Sequence, residues 1–100
     1  INFPDRSGRT PFSLAAQWGH EAVVKLLLAT EKVDVNFKDQ DRLGRTPLLL
    51  AAEEGHEAVV KLLLATDKVD VDVKDREGCT PLDKALMNDH EAVVKLLQKR

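Results

Sequence analysis

The chain has 100 residues, 43% hydrophobic and 32% charged, which is typical of one small globular domain. Its 15 basic and 17 acidic residues leave a formal net charge of −2, which argues against a nucleic-acid partner. The longest apolar run, at 48–52, is far shorter than the ~20 residues of a membrane-spanning helix, and no signal peptide opens the chain. Cys79 is the only cysteine, so we expect no internal disulfide and an intracellular, cytoplasmic setting.

The chain is built from a repeated segment. A Gly-x-Thr-Pro motif begins at Gly8, Gly44 and Gly78, and the motif His-Glu-Ala-Val-Val-Lys-Leu-Leu follows each glycine by 12 residues. Residues 8–39 and 44–75 are identical at 25 of 32 positions. The sequence therefore predicts a single domain, 1–100, of three repeats preceded by the arm of another unit: 1–7 (arm), 8–43, 44–77 and 78–100.

The first helix of each repeat begins at the Thr-Pro pair. Threonine is a good N-cap and proline is favoured at the first helical position, so the first repeat predicts a helix over Pro11–Trp18. Gly19 and Gly55 supply the left-handed residue that ends such a helix, and Asp89 is a poorer substitute in the third repeat.

A second helix follows a tight turn and ends near Ala29 or Ala65. Each copy has glutamate in its first turn and lysine four residues later. The glutamate interacts favourably with the helix dipole, and the lysine is placed to form an ion pair with it. Its remaining residues are apolar on most of the circumference, so it has to be sandwiched between neighbours, with Leu62 in the core. The Lys-Val-Asp-Val segments at 32–35 and 68–71 are expected to form short extended arms around a turn.

The ordered elements Thr-Pro-Leu, Ala-Ala, Gly-His and Val-Val-Lys-Leu-Leu-Leu resemble the ankyrin repeat over essentially the whole chain. The resemblance implies an all-α repeat solenoid of stacked helix-turn-helix units with projecting β-hairpin loops. It also implies a non-catalytic module that binds a peptide or protein partner through the concave face formed by the hairpins and first helices. The near-identical copies resemble tandem arrays at the ends of large fungal signalling proteins, and an engineered repeat protein would show the same pattern.

The chain departs from the family pattern at two places. The histidine that usually follows Thr-Pro-Leu is replaced by Ser13, Leu49 and Asp83, which puts its inter-loop hydrogen bond in doubt. In the third repeat, two leucines and an alanine of the earlier repeats become Gln98, Lys84 and Leu86. Polar or bulky residues suit a face on which nothing stacks, so we expect the third repeat to be a C-terminal cap and the N-terminus to be a cut.

Catalytic and metal chemistry find little support in the sequence. The three histidines occupy equivalent positions about one repeat apart, too far for one metal ion with ~2 Å bonds, and are expected to be structural. Cys79 with His90 is the only conceivable nucleophile and base, and an incidental thiol explains Cys79 better. We therefore expect no enzyme, no cofactor and no metal.

The candidate binding surface consists of positions that differ between repeats, near the hairpin tips and at the ends of the first helices. In families with this motif such positions line the concave groove. They are Arg6, Ser7, Arg9, Gln17, Trp18, Gln40, Arg42, Leu43, Arg45, Glu53, Glu54, Arg76, Glu77, Met87 and Asn88. The arginines make the tips cationic overall. Trp18 is the strongest candidate for a hot spot, with an N-terminal capping role as the alternative.

Two further expectations concern partners and modification. Asn36 lies where ankyrin asparagines can be hydroxylated, with Leu28 eight residues before it. The partner is expected to be a protein, without nucleic acid or membrane, and the chain itself a monomer. The alternative function is a structural spacer or self-association segment of a larger protein, favoured by the near-identity of the repeats.

Overall fold

A computed structural model describes residues 10–30, 33–38, 44–66 and 68–98. Within these ranges the chain forms six helices, two in each repeat. They are α1 (Pro11–Trp18), α2 (Glu21–Ala29), α3 (Pro47–Glu54), α4 (Glu57–Leu64), α5 (Pro81–Met87) and α6 (Glu91–Gln98). The first helices α1, α3 and α5 pack side by side, and so do the second helices α2, α4 and α6. The expected all-α solenoid of stacked helix pairs is confirmed.

The threonine before each first helix caps it, as the sequence predicts. Its Oγ1 accepts a hydrogen bond from the backbone N–H three residues later, at 3.1 Å for Thr10, 3.3 Å for Thr46 and 3.2 Å for Thr80. In the third repeat Asp83 also accepts from the backbone N–H of Thr80 at 3.0 Å, which completes a capping box. The family's usual histidine is thus replaced there by a second capping group.

The turns between paired helices take the left-handed conformation expected of them. Gly19 and Gly55 have φ of 73° and 74°, and Asp89 adopts φ 59° at the same place in the third repeat. Each turn reverses the chain within two residues, so the second helix returns against the first.

The core lies between the two layers of helices. Ala16 and Ala52 are fully buried, which lets the first helices approach closely, and Val60 and Leu63 of α4 are fully buried against their neighbours. Leu62 is only half-buried, contrary to expectation, because it faces the groove between α2 and α4.

The loops between repeats differ from the expected extended arms. In the described parts of the chain no residue is in a β-strand, and the Val-Asp-Val segments form turns. The carboxylates of Asp34 and Asp70 accept hydrogen bonds from the backbone N–H two residues later, at 3.0 and 3.1 Å, and these bonds fold the segments back. The last loop shows a hairpin-like backbone bond, from Asp75 N to Cys79 O at 3.0 Å.

The third repeat corrects the interpretation of its polar replacements. Lys84 is buried at 7% exposure and its ammonium group contacts carboxylates of the preceding loop, so it does not mark an open face. Leu86, in contrast, is 52% exposed where Ala52 is fully buried, and Gln98 is exposed as well. Among the described residues, no helix combines the length and apolar character needed to cross a membrane.

We predict that Leu63→Ala lowers the free energy of unfolding by about 2–5 kcal/mol, because it leaves a cavity among fully buried side chains. Leu26→Ala, the same chemical change at a 70% exposed position of α2, is the control and should change it by less than about 0.5 kcal/mol. Urea denaturation followed by circular dichroism measures both. Equal effects would contradict the assigned core.

Candidate binding surface

The ends of the three first helices form a line of variable residues across the repeats. We call the last pair of each first-helix segment, Gln17–Trp18, Glu53–Glu54 and Met87–Asn88, the inner row. Because α1, α3 and α5 pack side by side, these pairs follow one another along the stack. The structure therefore brings together three of the segments that sequence comparison selected.

A histidine of the following repeat fixes the backbone of the inner row. His56 Nε2 lies 2.9 Å from the carbonyl oxygen of Gln17, and His90 Nε2 lies 3.0 Å from that of Glu53. A carbonyl can only accept, so each ring carries a proton on Nε2 and donates. These two histidines hold neighbouring repeats in register, as expected of structural residues.

Glycine at the helix ends makes room for these rings. A Cβ built on Gly19 would lie 2.7 Å from His56 Nδ1, and one on Gly55 would lie 2.6 Å from His90 Nδ1. The glycines are thus required twice, by their positive φ and by the close approach of the imidazole. The helix ends that carry the first two pairs of the inner row are consequently held against the following repeat.

The side chains of the inner row are apolar at its two ends and acidic in the middle. Trp18 is 64% exposed and Met87 is 67% exposed, although both are large apolar side chains. Glu54 is exposed between them, and Asn88 is exposed while its amide donates to the carbonyl of Glu53 at 3.3 Å. Exposed aromatic and methionine side chains of this kind are enriched in the cores of protein interfaces.

Arg45 does not reach solvent as the sequence analysis assumed for the loop arginines. It is buried at 9% exposure, and its Nη1 lies 3.2 Å from Glu53 Oε1. A charge can be buried when a partner carboxylate compensates it. Arg45 therefore orients the Glu53 side chain of the inner row, and the interpretation of Arg45 as an exposed cation of the loop tips is wrong.

A second buried ion pair lies under the loop that contains Arg76 and Glu77. Lys84 Nζ is 3.4 Å from Asp75 Oδ2 and 3.7 Å from Glu77 Oε1, and the Asp75 side chain is fully buried. Asp75 Oδ1 accepts hydrogen bonds from the backbone N–H groups of Glu77 and Cys79, at 2.8 and 3.0 Å. This arrangement pins the loop to α5, while the Arg76 and Glu77 side chains remain exposed.

The environment shifts the pKa of both buried partners toward the charged form. Burial opposes ionisation of Asp75, but the amides of Cys79 and Glu77 and the charge of Lys84 outweigh it and hold its pKa below the ordinary value. Burial likewise opposes protonation of Lys84, but the carboxylates of Glu53 and Asp75 raise its pKa above the ordinary value. Both groups are charged at neutral pH. The pair was not predicted, and its signal in the sequence is a lysine at a leucine position of the repeat.

Comparison with protein-family models agrees with this stacked architecture. The family model described as "Ankyrin repeats (3 copies)" matches residues 28–100, and the model described as "Ankyrin repeat" matches residues 7–40. The chain belongs to the ankyrin-repeat family. No match was found among curated proteins. Ankyrin-repeat domains generally act in protein–protein interaction and are typically non-catalytic.

The loop residue Asn36 of the first ankyrin repeat links two neighbouring loops. Its Nδ2 donates to the carbonyl oxygen of Lys68 at 2.7 Å, and its Oδ1 accepts from the backbone N–H of Asp70 at 2.8 Å. The side chain is half-buried. The amide therefore serves as a bridge between repeats, whereas Cβ takes no part in these hydrogen bonds.

Part of the predicted binding surface lies outside the described residues. This holds for the six positions Arg6, Ser7, Arg9, Gln40, Arg42 and Leu43. The described members are the inner row, Arg45, Arg76 and Glu77. Because Arg45 is buried, a partner can contact the described part of the surface at the inner row, Arg76 and Glu77.

The described part of the ankyrin repeats offers no arrangement for metal chemistry. It contains no group of three or more His, Cys, Asp or Glu side chains that could hold an ion. Cys79 is half-buried and free, and His90 directs Nε2 to the Glu53 carbonyl.

We predict that Lys84→Leu lowers the free energy of unfolding by about 3 kcal/mol at pH 7, because it leaves the buried Asp75 carboxylate uncompensated. The pKa of Asp75 is lowered, so this stabilisation is present above its ordinary pKa of 3.8 and is lost as the pH falls through the folded-state value. The difference between wild type and variant should therefore shrink in acid. Urea denaturation at a series of pH values measures it.

Lys95→Leu, at an exposed lysine of α6, is the matched control. It should change stability by less than about 1 kcal/mol at neutral pH. A loss in Lys84→Leu that persists unchanged in acid would contradict the role of the ion pair.

Proposed function

We propose that this ankyrin-repeat domain recognises a peptide or protein partner through the inner row together with the exposed tip residues Arg76 and Glu77. The observation that carries the proposal is the exposure of Trp18 and Met87, with the helix end that carries Trp18 held by His56 of the next repeat. Preorganised aromatic side chains bind with little loss of conformational entropy. No catalytic role is proposed.

Packing within the chain does not account for the two apolar residues. The residues equivalent to Trp18 are Glu54 and Asn88, so the fold accepts polar side chains at that position. Met87 is equivalent to Gln17 in the same way. Their apolar character therefore supports contact with a partner. The acidic Glu54 between them favours a partner segment that places a cation between two apolar anchors.

The internal repeat supplies substitutions that the fold accepts. We predict that Trp18→Asn, which installs the residue of the third repeat, weakens partner binding by about 30-fold or more, as expected for a hot spot worth ~2 kcal/mol. Met87→Gln should weaken it in the same direction. A partner captured from the native cell lysate is first identified by mass spectrometry and then titrated against each variant by calorimetry.

Leu26→Ala is the control, because Leu26 is equally exposed but lies on the second helix α2. It should leave the affinity for that partner within about threefold. Full affinity in Trp18→Asn, or an equal loss in Leu26→Ala, would count against the inner row.

We further propose that, as the family resemblance implies, an external hydroxylase acts on Asn36 in the native protein: one atom of molecular oxygen enters a Cβ–H bond to give C–OH, and a reducing co-substrate of that enzyme takes up the other oxygen atom. Its amide hydrogen bonds leave Cβ unused, so an added hydroxyl is compatible with the bridge to Lys68 and Asp70. Intact-mass analysis of protein from its native source should show the gain of one oxygen atom, and peptide fragmentation should place it on Asn36. Absence of that mass, or its persistence in Asn36→Asp, would contradict this assignment.

We infer an intracellular, cytoplasmic setting and a function that needs no cofactor, metal, nucleic acid or membrane. The half-buried free thiol of Cys79 and the near-neutral charge balance support this setting.

A further inference from the structure

The second helices present a regular pattern on their outward side. We call this the outer surface and define it by four rows that run along the stack, one residue from each of α2, α4 and α6. The rows are Glu21, Glu57 and Glu91; Lys25, Lys61 and Lys95; Ala22, Ala58 and Ala92; and Leu26, Leu62 and Leu96. Members of all four rows line the grooves between neighbouring second helices.

The outer surface is unchanged where the rest of the third repeat has diverged. From Gly78 to Asp89, seven of 12 positions differ from the second repeat, whereas none of the eight positions from His90 to Leu97 differs. Burial explains why Val93 and Leu97 are unchanged. Burial does not explain why the exposed residues of α6 are also unchanged, because these side chains do not pack in the core.

Ion pairing within each helix gives only a partial account. Glu21 and Lys25 are 3.8 Å apart, and Glu57 and Lys61 are 3.4 Å apart, with both pairs about half exposed or more. Such pairs contribute about 0–1 kcal/mol each and do not depend on the alanine or leucine rows. Within the leucine row, Leu26 is 70% exposed, whereas Leu62 and Leu96 are half-buried and pack partly against the core.

The four rows are complementary to themselves. Glutamate and lysine are separated by one helical turn, and so are alanine and leucine, with equal numbers in each row. A two-fold axis parallel to the stack reverses the helix direction of a second copy but keeps its repeats in the same order. That operation places the lysine row over the glutamate row and the bulky leucine row over the small alanine row. A two-fold axis along the helices would instead place each charge over its like.

We propose that the outer surface docks a second copy of this chain, with α4 crossing α4 of the partner in antiparallel orientation. Charge complementarity selects this occupant, because both rows of charge find their opposites only in a copy with the same spacing. The proposal is independent of partner recognition by the inner row, which lies on the first helices. It replaces the expectation of a monomer.

Analytical ultracentrifugation over a range of concentrations tests the proposal. The wild-type chain should approach twice its mass of 11.1 kDa as the concentration rises toward about 1 mM. A variant with the lysine row reversed, Lys25→Glu, Lys61→Glu and Lys95→Glu, should raise the dimer dissociation constant by at least about tenfold.

A control variant with Lys38→Glu, Lys68→Glu and Lys74→Glu reverses the same number of charges and so carries the same net charge. These exposed lysines lie in the loops, away from the outer surface. Its dimer dissociation constant should stay within about threefold of the wild type. Circular dichroism checks that both variants are folded. A wild type that remains monomeric throughout, or equal losses in the two variants, would overturn the proposal.

A mixing experiment tests whether opposite charges meet across the interface. The variant with Glu21→Lys, Glu57→Lys and Glu91→Lys should also fail to dimerise alone, and it should pair one-to-one with the variant that has the lysine row reversed. If the three new lysines at helix N-termini unfold the chain, glutamine at the same positions replaces them, and that variant should then dimerise more weakly than wild type. Failure of the folded, oppositely charged variants to pair would overturn docking of one outer surface on another through complementary charges.

Discussion

Stacking of one helix pair on the next is the constraint from which the rest of this structure follows. Each second helix is only eight or nine residues long and is apolar on most of its circumference, so it is marginal alone. It becomes stable when neighbours cover two of its sides, as they cover Val60 and Leu63 in α4. Close approach of the alanine-rich first helices completes this arrangement. The surface then divides into a variable inner row and a repetitive outer surface, because each helix type has one remaining side.

The sequence predicts local structure well where one residue type has one physical role. Threonine before proline predicted the start of α1, and glycine predicted its end, since capping and positive φ leave few alternatives. The stacking order also followed from the repeat. The extended arms were wrong because Asp34 and Asp70 fold their segments into turns with their own carboxylates.

The candidate site was less accessible to sequence reasoning. Exposure of Trp18 could be argued from its polar equivalents in the other repeats, but the burial of Arg45 could not, because its partner Glu53 is eight residues away and on another element. Lys84 was assigned to an exposed face for the same reason. A lone charged residue in a sequence gives its charge but not its counter-ion, and the counter-ion decides whether that charge is buried. Side-chain pairing between different elements, within a repeat for Arg45 and across a repeat boundary for Lys84, is therefore the part that needed coordinates.

The contact between successive repeats is directional, because the histidine of one repeat occupies space that a Cβ atom would fill in the repeat before it. Gly19 and Gly55 accept the imidazole of the following repeat because neither has a Cβ, whereas Asp89 holds the equivalent turn with a side chain attached. Residues 44–77 therefore form a unit in which His56 fits against the glycine of the preceding repeat and Gly55 makes room for the histidine of the following one. Duplication of that unit within the chain preserves every contact of this kind, whereas a unit stacked on the third repeat would place its histidine against the Cβ of Asp89. The array can lengthen from within more readily than beyond its third repeat.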